Sequence, residues 1–170
     1  MQYRDEVHAT VRALNCGEGR PKVAVWQQQY QAGYRESSPV DYEHLTAVEK
    51  LMGDAMTHAL IRRAVTAEQY LALVLRYSGD EAARINALKL LMSVIKSPAG
   101  ETTKALAIGA WAGFRSQSAA GTDWDGQGAA QSTVRGWRMQ IRRDLSALHD
   151  AALERISRAL TDGGLIGGGV

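Results

Sequence analysis

Cysteine is almost missing from this chain: Cys16 stands alone among 170 residues, which excludes an internal disulfide and any zinc module built on a set of cysteines. Long apolar runs are missing too. Nothing approaches the roughly 18 consecutive apolar residues that cross a bilayer, and the opening MQYRDEVHATVRAL carries charges where a secretory leader needs an apolar segment. The expectation is a cytoplasmic protein without a membrane partner. Nor is there a surplus of one charge. Twenty Lys and Arg face 18 Asp and Glu for a net +2, so any attraction to nucleic acid must come from a local patch rather than an overall field.

Reactive motifs are absent as well. The chain has no phosphate-cradling glycine loop, no GxSxG, and no nucleophile with a base nearby in sequence. His8, His44, His58 and His149 show no pair at the spacing that puts two ligands on one helix face. Asp123 and Asp125, on either side of Trp124 in a glycine-rich stretch, suit a hard cation or, more simply, a turn with its own Asx hydrogen bonds. No catalytic residue, metal or cofactor is therefore expected.

What is present is helical periodicity. Apolar residues make up 45% of the chain and charged residues 22%, a normal balance for one packed domain. They recur at three-and-four spacing through most of the length, and only Lys22 to Trp26 hints at a strand. The fold class expected is all-α, a single-domain multi-helix bundle over residues 1–162. Residues 1–98 form a helical core part, residues 99–162 the candidate DNA-binding helices with a helix-turn-helix-like C-terminal part, and residues 163–170 a flexible glycine-rich tail outside the core.

The first helix is expected from about Arg4 to Leu14, with Val7, Val11 and Leu14 inward. A second segment around Gln27 to Tyr30 carries Trp26, Tyr30 and Tyr34, which suit either core packing or base stacking. From His44 to about Arg63, the set Leu45, Val48, Leu51, Met52, Ala55, Met56 and Ala59 traces one face, read as a core face, and Arg62 and Arg63 complement the helix dipole at its end. Thr66 with Gln69 and Ser78 with Glu81 both have capping-box spacing. The helices that follow turn Tyr70, Leu71, Val74 and Leu75, then Ile85, Leu88, Met92 and Ile95, to the core, the second stopping at Ser97-Pro98. Thr102 or Thr103 is expected to cap a helix through Leu106, Ala110 and Trp111. A polar stretch from Arg115 to Gln131 follows, and a final helix begins at Ser132 or Thr133 and runs to about Leu160.

That final helix holds the strongest chemistry. At 100° per residue, Val134, Trp137, Ile141, Leu145 and Leu148 share a core-facing stripe, while Arg135, Arg138 and Arg142 lie on a neighbouring one with Arg143 further round. Arginine grips guanine O6 and N7 with a two-pronged fork, and hydroxyls, glutamine and free donors at a helix N-terminus bind phosphate or base edges. Arg135 and Arg138 are the candidates for base edges; Gln131, Ser132, Thr133, Arg142 and Arg143 are the candidates for the DNA backbone. Gly136 costs about 1 kcal/mol in helix propensity, which suggests close approach of DNA or of another helix. A solvated basic face, or a contact with another protein or with RNA, fits the same residues. Lys89, Lys96 and Lys104 add to a basic surface only if the fold brings them beside Arg135.

The run QSTVRGWRMQI resembles the DNA-reading helix of helix-turn-helix proteins. Together with the preceding KALAIGAWAGF and a helical amino-terminal half, it is similar to small bacteriophage regulators, including the Q-type late-gene antiterminators. The resemblance covers about Glu101 to Ile156. It implies a regulator in the bacterial host cytoplasm that binds double-stranded DNA near a late promoter, engages RNA polymerase and travels with it past terminators. Two features depart from the pattern: 18 residues lie between Phe114 and Thr133 where a helix-turn-helix has three or four, and the zinc-holding cysteines of some Q-type proteins are absent. The rival expectations are a small terminase-like packaging subunit that binds DNA as a ring and a helical adaptor that binds protein without DNA; a homo-oligomer is a partner state open to either or to the regulator.

Overall fold

A computed structural model describes residues 3–16, 46–114 and 129–166 of the chain. The Lys22–Trp26 segment, Tyr30, Tyr34, His44, Leu45, Asp123 and Asp125 lie outside the described residues. Within them the fold is an all-α bundle of six helices: α1 (Glu6–Leu14), α2 (Ala47–Ala64), α3 (Ala67–Tyr77), α4 (Glu81–Val94), α5 (Glu101–Trp111) and α6 (Gln131–Asp162).

The helix ends follow from local chemistry. Thr46 with Glu49 and Thr66 with Gln69 close reciprocal capping boxes at the starts of α2 and α3. The Ser78–Glu81 box does not form: Asp80 caps α4 by accepting from Ala82 N at 2.9 Å, and Ser78 Oγ accepts from Asp80 N instead. A carboxylate one residue from the helix reaches the free donors more directly than a hydroxyl three residues back. Neither Thr102 nor Thr103 caps α5, which starts from Gly100, and neither Ser132 nor Thr133 caps α6, which starts from Ala130 without a side-chain cap. The far end of α5 is closed by two arginines from other helices. Arg84, buried at 8% exposure, donates to Leu75 O and Ala112 O and lies over the Phe114 ring, while Arg76 donates to Trp111 O. Their charges sit where the dipole of α5 is negative.

Two apolar clusters share one spine. α6, about 48 Å long at 1.5 Å per residue, contributes Ile141 and Leu145 to a cluster with Val74, Leu75, Ala87, Leu91 and Ile108, and Ala152, Ile156 and Leu160 to a second with Tyr3, Ala9, Ala13, Ile61 and Leu73. The buried side of α1 is the small one, Ala9, Thr10 and Ala13, with Val7, Val11 and Leu14 only half-buried. On α4 the fully buried residues are Arg84, Ala87 and Leu91; of the expected inward set, Ile95 after the helix is buried and Leu88 and Met92 pack against the first cluster, whereas Ile85 is exposed.

The largest correction concerns α2. Its expected core face is its outer face: Val48, Leu51, Met52 and Met56 are 53–73% exposed, and Asp54, Thr57 and Ile61 are buried instead. The polar pair is held inside because Tyr3 Oη donates to Asp54 Oδ1 at 2.9 Å and bonds Thr57 Oγ1 at 2.9 Å, while Arg12 donates to Asp54 Oδ2 at 2.7 Å. A fully bonded polar network fixes α1 on α2 and turns the apolar stripe outward. The tail expectation also changes. Leu165 and Ile166 fold back onto the second cluster, where Leu165 O accepts from Tyr3 N at 2.7 Å; residues 167–170 lie outside the described ones.

Candidate nucleic-acid interface

The arginine stretch occupies the first four turns of α6. Val134, Ile141 and Leu145 are buried and Trp137 is half-buried against the first cluster, so the helix is anchored along the expected stripe. Gln131, Ser132, Thr133, Arg135, Arg142 and Arg143 are all exposed, and Met139, 46% exposed, lies among the arginines. Arg138 departs from the expectation: it is half-buried, because its position is 40° from Val134 and next to Leu145 on the helical wheel. The outer face thus presents Arg135 and Arg142 before Arg138.

Charge is distributed unevenly along this helix. From Gln131 to Leu145 four arginines meet one carboxylate, Asp144, and that carboxylate accepts from Gln140 at 2.7 Å rather than from an arginine. Beyond it the balance reverses, with Arg158 paired to Glu154. Among the described residues, Arg135, Arg142 and Arg143 make no ion pair or hydrogen bond. Their guanidinium groups are left to solvent or to an external anion. Gly136 faces open space, with nothing within 4 Å of the position its Cβ would take, so no helix of the described fold accounts for it.

A compact helix-turn-helix does not arise from α5 and α6. Trp111, the last residue of α5, donates through Nε1 to Ser146 Oγ at 3.1 Å, roughly 22 Å along α6 from its first residue; in a helix-turn-helix the first helix ends beside the start of the reader. The pair with the right turn length is α3 and α4, joined by Ser78, Gly79 and Asp80. That corner presents Asp80 and Glu81, charges that repel phosphate.

No protein-family model, curated protein or solved structure matches this chain.

Other polar groupings serve packing. Tyr77 Oη lies 2.7 Å from His149 Nε2, and His149 Nδ1 lies 2.9 Å from Asp150 Oδ1. The order resembles a proton relay, but the Trp111 ring packs edge-on against His149 at 6.0 Å, and burial pushes the Tyr77 phenol up. The group joins α3, α5 and α6. Among the described residues no three His, Cys, Asp or Glu side chains group to hold a metal ion, and no helix is long and apolar enough to cross a membrane. Met139 was missed in the sequence because it is one methionine at a position that periodicity leaves polar. The exposed stripe on α2 was missed for the opposite reason, since periodic apolar residues read as core.

Proposed function

We propose that the protein is a sequence-specific DNA-binding transcription regulator of phage type, with the first four turns of α6 as its reading surface. The observation that carries the reading is the anchored helix with unpaired, exposed Arg135, Arg142 and Arg143 beside an uncapped N-terminal turn. Arg135 and Arg142 reach base edges with their two-pronged forks, with Arg138 at the rim. Arg143, Gln131, Ser132 and Thr133 hold phosphates and fix the register. Gly136 lets the DNA backbone come close to the helix. The antiterminator form of the proposal, with RNA polymerase as a partner, rests on the resemblance of QSTVRGWRMQI alone.

Selection from a random duplex pool at physiological salt tests the proposal. A defined motif is expected. On that motif, Arg135→Ala and Arg142→Ala should each cost about 1–3 kcal/mol of affinity and relax the preference at their own base positions. Arg143→Ala should weaken all duplexes alike and lower the salt slope by about 1. An unenriched pool, or unchanged affinity in the double variant of Arg135 and Arg142, overturns the reading and leaves the protein-binding adaptor.

A further inference from the structure

The outer face of α2 is the feature that the DNA reading does not use. Val48, Met52, Ala55 and Ala59 are all exposed and follow a four-three-four spacing, the repeat by which one helix packs along another. Leu51 and Met56 border this seam, and the opposite side of the helix is occupied by the Asp54–Thr57–Tyr3–Arg12 network, so α2 cannot roll to bury the stripe in its own fold. Beyond the seam, Met56, Ala59, Leu60, Arg63, Ala64 and Ala159 line an open apolar recess of about 480 Å³ between α2 and α6.

The stripe is complementary to itself in one orientation. Large side chains, Val48, Leu51 and Met52, fill its N-terminal half, while alanines and the recess fill its C-terminal half. Glu49, Met56 and Arg63 succeed one another at seven-residue spacing on a single flank. When two copies of a helix pair antiparallel about a two-fold axis, the same flank of each meets the same flank of the other. Glu49 of each copy then faces Arg63 of the other across the two Met56 side chains, and the large half of each seam lies over the small half and recess of its mate. A parallel pair brings opposite flanks together, so Glu49 and Arg63 do not meet across it, and sets large against large. Of the two C-terminal arginines, Arg62 is engaged, lying 4.0 Å over the Tyr70 ring, and Arg63 makes no ion pair among the described residues.

We infer that α2 is a self-association seam, on which a second copy of this chain docks its own α2 antiparallel. The inference is independent of the DNA reading, since the seam shares no residue with Gln131–Arg143.

Analytical ultracentrifugation of the full chain at high micromolar concentration should show a dimer, and Met52→Glu should yield a monomer of unchanged helical content. A charge exchange gives the register. Arg63→Glu and Glu49→Arg should each weaken self-association by about tenfold, because two attractive pairs become repulsive, and helical content by circular dichroism separates this from the capping box that Glu49→Arg also opens at Thr46. An equimolar mixture of the two variants restores both attractions and should form the mixed dimer at the wild-type concentration. A wild-type chain that stays monomeric, whether its stripe is covered by its own residues or by another protein, overturns the inference. So does a dimer indifferent to Met52→Glu, or a mixture no tighter than its parents.

Discussion

Single side chains decide which way α2 faces, and Asp54 is the pivotal one. The residue is 6% exposed, and its carboxylate accepts from Tyr3 and from both Nε and Nη2 of Arg12. Asp54→Asn keeps the volume but removes the negative charge to which Arg12 donates twice and replaces one acceptor oxygen by a donor. The expected loss is roughly 2–4 kcal/mol of unfolding free energy, read from the urea midpoint, with the α1–α2 contact loosened first in hydrogen exchange. Two histidines add a pH response. Burial pulls His8 and His58 below the ordinary value of 6.5, Arg12 adding to the effect at His8 and Arg62 at His58. A depressed histidine is neutral in the folded chain and more readily protonated in the unfolded one, so its stabilisation is present above pH 6.5 and lost as pH falls below it toward the folded value. The urea midpoint should fall on acidification through this window, and the double variant His8→Gln, His58→Gln should flatten the fall.

At the scale of the element, α6 carries a local cost that its own fold does not explain. Gly136 is exposed and touches nothing, so Gly136→Ala should raise stability by roughly 0.5–1 kcal/mol through helix propensity. The same change should weaken DNA binding if the DNA backbone passes there; a gain in melting temperature with unaltered affinity separates the two effects. The capping boxes are simpler. Thr66→Ala removes the acceptor for Gln69 N and should cost about 1 kcal/mol, with no effect on DNA affinity, since α3 lies outside the reading surface.

Across the whole molecule, the two ends of the described fold hold one another. Tyr3 and Ile166 form an isolated parallel bridge, and both are buried in the second cluster. Truncation after Asp162 should therefore cost about 2–4 kcal/mol, from the lost burial of Leu165 and Ile166, and lower the melting temperature. The two proposals also meet at this scale. A two-fold pair of chains presents two copies of the α6 surface, and dimers read half-sites related by the same symmetry. The motif selected from random DNA should then be an inverted repeat, and Met52→Glu should reduce it to a single half-site of lower affinity.

Helix existence, the Thr66 cap and the inward stripe of α6 are determined by the sequence itself, because they depend on periodicity and on neighbours within four residues. So is the concentration of arginines between Gln131 and Leu145, on which the candidate site rests. Tertiary structure alone decided the rest. Periodicity identifies an apolar face but not its destination, and α2 turned its apolar face out because Tyr3 and Arg12, 51 and 42 residues away, bond Asp54 on the other side. Leu165 and Ile166 gained a place in the core because the chain's first residues offer a backbone donor and an apolar surface there, a pairing between opposite ends that no local pattern encodes.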